Sequence, residues 1–180
     1  KMLYDNGQLV ETYLLLHAIA PHPDDPTFYT RVARQTCDYV LREMTDPTGT
    51  FWSAQDAEVD AREGGNYVWM PDQVRSVLDQ KDTELALDLY GLNLKANFQD
   101  PHHPDEPRTY VVFLPHRLDE LAGKIGIELE QMIRNQKQIN DKLYAVRMLR
   151  NQPATDDKVL TGWNGLMIGS LAMAGHDLDE

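Results

Sequence analysis

The sequence holds a single cysteine, Cys37. One thiol excludes an internal disulfide framework and a cysteine-based zinc cluster, and it suits a reducing compartment. No signal peptide is visible, and a cytoplasmic location is expected. Long hydrophobic runs are missing as well: no stretch approaches the roughly 20 apolar residues needed to cross a bilayer. Positive charge is scarce, with 17 basic against 29 acidic residues and a net charge of −12. That balance counts against a nucleic-acid backbone or an anionic membrane surface as partner, since both require clustered Lys and Arg. The six histidines form no metal site by spacing, because His102 and His103 are adjacent in a Pro-rich loop and no HExxH motif is present. A Gly-rich phosphate loop is also lacking, for "EGGNY" (63–67) does not fit the Walker pattern. No metal and no cofactor is therefore expected. Acidity leaves neutral ligands such as sugars open.

What is present reads as helix. The 180 residues fit one domain by length, and a hydrophobic share of 42% supports a packed core. Segment 3–20 predicts a helix with Leu9, Tyr13, Leu16 and Ala20 on one stripe and Val10, Leu14 and His17 beside it. "PHPDDP" (21–26) breaks it, and a second helix runs over 27–45 before the turn signal "DPTG" (46–49). Two β-like pieces follow, "TFWSA" (50–54) and "NYVWM" (66–70), which would pair as a hairpin around an acidic loop. Pro71 marks a helix start, a further helix ends at Gly91, and 109–115 reads as a short strand. A short helix over 116–126 precedes a long one over roughly 126–150. Its stripe of Ile125, Leu129, Met132, Gln136, Ile139, Leu143 and Val146 has one polar member, Gln136. The last helix, "WNGLMIGSLAMAG" (163–175), is apolar on all sides and predicted to be surrounded by protein. It echoes the first: "NGQLV" (6–10) and "NGLMI" (164–168) both open an apolar helix, as repeated helical hairpins would.

Two places could carry chemistry. The first is "FWSAQDAE" (51–58), where Trp52 and Trp69 flank Asp56 and Glu58. Aromatic rings beside carboxylates are what a sugar needs, a flat surface for its C–H faces and acceptors for its hydroxyls. Two carboxyls could also supply acid and base across a glycosidic bond. The alternative is a solvated acidic loop between cross-strand aromatics. Calcium does not fit, because Ala61 stands where an EF-hand loop needs Gly and Val68 where it needs Glu. The second place is "TDDKVLTGWNG" (155–165), where Asp156, Asp157, Lys158, Trp163 and Asn164 gather before a helix. They either cap that helix or line a cavity together with "YDNG" (4–7). The candidate residues are Asp56 and Asp157 for catalysis. Trp52, Gln55, Glu58, Trp69, Trp163, Asn164, Asp5 and Asn6 are candidates for substrate binding.

Four stretches together carry a family resemblance: "KMLYDNGQL", "FWSAQDAE", "EGGNYVWMPDQV" and "DDKVLTGWNGLMIGSLAMAG". In order and spacing they resemble the thioredoxin domain-containing protein family of YyaL and spermatogenesis-associated protein 20. The resemblance implies a mainly α fold, part of an (α/α) toroid of helical hairpins with a short β-hairpin insertion, of the six-hairpin glycosidase type and similar to N-acylglucosamine 2-epimerases. It implies that residues 1–180 are one piece of that toroid and that a thioredoxin-like domain, absent here, precedes it in the full-length chain as a partner. Two functions follow as expectations. One is a carbohydrate-active or carbohydrate-binding toroid, a sugar-directed hydrolase or isomerase. The other is a non-catalytic scaffold that supports a thioredoxin-like redox domain. The histidines of epimerase chemistry have no counterpart placed here, so that mechanism is not carried over.

Overall fold

The computed structural model describes residues 1–179 and is mainly helical. In chain order the elements are α1 (Leu3–Ile19), α2 (Phe28–Glu43), β1 (Ala54–Gln55), β2 (Glu58–Val59), β3 (Arg62–Glu63), α3 (Pro71–Val77), α4 (Gln80–Leu89), α5 (Leu118–Ile125), α6 (Leu129–Arg147), β4 (Thr155–Asp156) and α7 (Thr161–Asp177). They fall into two compact units. One comprises Lys1–Asp56 and the chain from Ala154 onward; the other is Ala57–Pro153. Among the described residues no helix is long and apolar enough to cross a membrane.

In the first unit α1 packs against both α2 and α7. Leu3, Val10, Leu14, Ala33, Val40, Met44, Phe51 and Met167 form its core. The buried stripe of α1 is Leu3, Gly7, Val10 and Leu14, whereas Leu9 is exposed. Helix α1 is apolar on more than one side, so periodicity alone offers several stripes; Gly7 selects among them. A Cβ at Gly7 would lie 3.5 Å from Met167 Cα, and Ser170 Oγ donates to Gly7 O at 2.9 Å. The helices thus meet where one of them has no side chain. Helix α7 turns Asn164, Met167, Ser170 and Ala174 inward and leaves Leu166 and Ile168 exposed. Its all-round apolarity is therefore covered on one face only within this unit. The Pro-rich break before α2 is organised by Asp25, 3% exposed. That carboxylate accepts from Arg31 Nη1 at 3.0 Å and Nη2 at 2.8 Å, and from Thr27 N at 3.2 Å and Oγ1 at 2.9 Å.

In the second unit Trp69, Val74, Leu89, Leu92, Leu121, Met132, Ile139 and Leu143 are among the core residues. Helix α3 starts at Pro71, and Asp79 caps α4 by accepting from Asp82 N at 2.9 Å. Gly126, at φ 73°, closes α5 in the left-handed conformation that glycine adopts freely. The polar member of the α6 stripe has a partner: Gln136 and Asn140 both meet the Tyr90 hydroxyl. Burial pushes the Tyr90 phenol up to about 12, and those hydrogen bonds offset only part of the rise.

The β pieces pair differently from the sequence expectation. Residues 50–54 and 66–70 do not form a hairpin with each other. Instead β1 pairs antiparallel with β4, in the register Ala54↔Asp156 and Gln55↔Thr155, and Trp69 bridges Tyr110. Aromatic and β-branched residues mark a segment as extended but do not name its partner. The hairpin that exists is β2–β3. Its turn residues Asp60 and Ala61 have φ 54° and 58°, as a two-residue type I′ turn requires. The strand expected over 109–115 is reduced to bridges at Thr109 and Tyr110.

Candidate functional site

The extended run 51–56 is tied on every side within the first unit. Trp52 N donates to Met44 O at 2.8 Å, where α2 ends, and Leu3 N donates to Ser53 O at 2.8 Å, where α1 begins. Ser53 N reaches Asp156 O at 3.1 Å and Asp56 N reaches Ala154 O at 2.8 Å. The run alternates as a strand does: Phe51, Ser53 and Gln55 are buried, Trp52 and Ala54 are half-buried, and Asp56 is exposed. Trp52, Ala54 and Asp56 therefore share the outward face. The register sets Asp156 opposite Ala54, so Asp156 joins that face.

The electrostatics of this face are acidic and partly compensated. Lys158 Nζ lies 2.9 and 3.0 Å from the two Asp156 carboxylate oxygens. Hydrogen bonding to Lys158 holds the Asp156 carboxyl below its usual range, and the same pairing raises the Lys158 amine. Among the described residues no three His, Cys, Asp or Glu side chains converge as a metal site would require.

The remaining candidates are distributed as follows. Asn164 is buried, and its side chain closes a ring with the Phe51 main chain: Phe51 N donates to Oδ1 at 2.9 Å, and Nδ2 donates to Phe51 O at 2.9 Å. Gln55 accepts from Tyr39 Oη at 2.7 Å. Asn6 donates to Met2 O at 2.7 Å. Asn6, Tyr39, Lys1 and Thr36 line an open hollow of about 260 Å³. Trp163 sets its ring edge-on to Tyr4, centroids 4.7 Å apart. Asp5 and Asp157 are exposed. Glu58 and Trp69 belong to the second unit. There Glu58 meets His102 Nε2 at 3.1 Å, and Trp69 is buried beneath the Arg150 guanidinium, 4.0 Å from the ring centroid. The first unit thus gathers Trp52 and Asp56 on one face. It adds Asp156 and Lys158, which the sequence had grouped near α7 without linking them to Asp56. Only the pairing of β1 with β4 makes that link.

Taken together, this face offers a half-exposed indole, a small Ala54 step and an accessible carboxylate. A flat apolar surface beside a hydrogen-bond acceptor suits a neutral polyhydroxylated ligand.

No family model matches the chain. Relatives do. Spermatogenesis-associated protein 20 of Homo sapiens is 29% identical over 198 residues, covering 100% of this chain and 25% of the relative. Spermatogenesis-associated protein 20 of Mus musculus is 30% identical over 196 residues, covering 99% and 24% respectively. The Rattus norvegicus protein of the same name is 29% identical over 196 residues. Homologues along the whole chain are therefore spermatogenesis-associated protein 20, the family that the four sequence stretches resemble. The chain spans about a quarter of the length of the curated relatives it matches.

Proposed function

We propose that this chain is part of the helical toroid of a cytoplasmic thioredoxin domain-containing protein, and that the outward face of residues 52–56 binds a neutral carbohydrate. The observation that carries the reading is the placing of Trp52, Ala54 and Asp56 on one accessible face, held in register from both sides by backbone hydrogen bonds. Trp52 serves as the stacking platform. Asp56 accepts hydroxyls and is the acid or base of a sugar-directed hydrolase or isomerase, with Asp157 as the second carboxylate. Trp163, Asn164, Gln55, Asp5 and Asn6 support the site from the first unit. Glu58 and Trp69 belong to the second unit and are not part of this face. Thermal-shift screening of the full-length protein against neutral mono- and oligosaccharides tests the reading, which expects at least one saccharide to raise the melting temperature.

A second reading has its own observation. Leu9, Leu15 and Ile19 on α1, and Leu166 and Ile168 on α7, are exposed. Exposed apolar side chains on two packed helices fit a surface that another part of a protein covers. On this reading the chain is a scaffold that supports the thioredoxin-like domain of the same full-length chain. It expects no saccharide in the screen to shift the melting temperature.

A further inference from the structure

The second unit contains a cavity of about 320 Å³ whose wall includes Arg62, Trp69, Gln73, Thr109, Arg150 and Asn151. Arg150 stands out. Its guanidinium stacks on Trp69, and Nη1 donates to Asn66 O at 3.0 Å and to Val68 O at 2.9 Å. Those two bonds use both Nη1 hydrogens. Among the described residues nothing accepts from Nε or Nη2 of Arg150, and no carboxylate pairs with it. Arg62, on the same wall, contrasts with this: its Nη2 lies 2.7 Å from Glu106 Oε1. Burial lowers the affinity of Arg150 for its proton, and the nearby charge of Arg147 lowers it further. A half-buried cation fixed by two carbonyls and an indole, with no carboxylate paired to it among the described residues, is a costly arrangement. It occurs in a chain whose net charge is −12.

We propose that this cavity binds the carboxylate of a small hydroxylated organic acid, with Nε and Nη2 of Arg150 donating two parallel hydrogen bonds to it. That edge of a guanidinium matches the spacing of two carboxylate oxygens. Phosphate presents similar oxygens, but Asp60 also lies on the wall, its carboxylate held by Asn151 Nδ2 at 2.6 Å. A fixed negative charge opposes a dianion more than a monoanion, and it accepts a hydroxyl carried beside the carboxylate. The volume suits a ligand of sugar-acid size. This site is independent of the carbohydrate face proposed above.

Isothermal titration of the full chain with sodium glucuronate, glucose and inorganic phosphate tests the proposal. Glucuronate is expected to bind saturably, and glucose and phosphate at least tenfold more weakly. Arg150→Lys keeps the charge, loses the paired edge and is expected to weaken glucuronate at least tenfold. Because Arg150 also anchors Asn66 and Val68, a second variant avoids disturbing the fold. Gln73 accepts from Met70 N at 2.8 Å through Oε1. Gln73→Glu retains that acceptor while adding a negative charge to the wall, and is expected to weaken glucuronate tenfold or more. Equal binding of glucose and glucuronate, phosphate binding as tightly as glucuronate, or unchanged glucuronate affinity in a folded Gln73→Glu variant would each overturn the proposal.

Discussion

The Asn164 side chain and the Phe51 main chain form a closed pair of hydrogen bonds, both 2.9 Å, across 113 residues of sequence. That ring pins the start of α7 to the extended run that carries Trp52 and Asp56. Asn164 is 8% exposed, so Asn164→Ala leaves a donor and an acceptor of Phe51 buried without partners. Each such group costs about 1–3 kcal/mol. Asn164→Ala is expected to lose about 2–4 kcal/mol in urea denaturation. Its echo in the sequence, Asn6, donates to Met2 O four residues away, and Asn6→Ala is expected to lose under about 1 kcal/mol.

Gly7 and Gly165 occupy the same position in the two Asn-Gly motifs but meet different surroundings. A Cβ at Gly7 would sit 3.4 Å from Ser170 Oγ, an ordinary contact, whereas a Cβ at Gly165 has nothing within 4 Å among the described residues. Gly7→Ala is expected to be neutral or stabilising, by up to about 1 kcal/mol from helix propensity. Gly7→Leu is expected to destabilise by about 1–3 kcal/mol through overpacking. Gly165→Leu is expected to leave the midpoint of chemical denaturation of this chain within about 0.5 kcal/mol of the parent.

Stability should fall in acid, with Asp25 contributing. Burial alone would raise its carboxyl, but hydrogen bonds from Arg31 and Thr27 and the Arg31 charge hold it below 3.8. A depressed carboxyl contributes its full stabilisation above the ordinary carboxylate range and loses it as pH falls through the folded value. Other carboxylates, including Asp46 and Asp156, are depressed as well. The contribution of Asp25 is therefore the difference between parent and Asp25→Asn. Melting temperature measured from pH 7 to pH 2 is expected to fall less steeply below about pH 4 in Asp25→Asn.

Ala61 holds a left-handed conformation at φ 58° in the β2–β3 turn. That conformation costs a residue with a Cβ about 1 kcal/mol. Ala61→Gly is expected to stabilise the chain by a few tenths to about 1 kcal/mol, read by chemical denaturation, since relief of the turn exceeds the added freedom of the unfolded chain.

Features set by neighbouring residues were legible in the sequence. Pro71 opens α3, Gly126 closes α5, and the stripe of α6 buries Met132, Ile139 and Leu143. Features set across long separations were not legible. The partner of Ala54 is Asp156, and no local pattern in either segment names the other. The buried stripe of α1 was misread for a related reason: Leu9 and Val10 are equally apolar, and only the approach of α7 to Gly7 decides between them. Asp156 was visible as one of a cluster of charges, but its place beside Trp52 and Asp56 depends on that same distant pairing.

The carbohydrate face is tested most directly by calorimetric titration of the full-length protein with a neutral oligosaccharide, alongside Trp52→Ala and Asp56→Asn. The expected result is saturable binding by the parent and at least a tenfold loss in each variant, with melting temperatures within about 2 °C of the parent because both side chains reach solvent. Oligosaccharide binding that persists unchanged in folded Asp56→Asn, or no binding by the parent across neutral saccharides, would contradict the account.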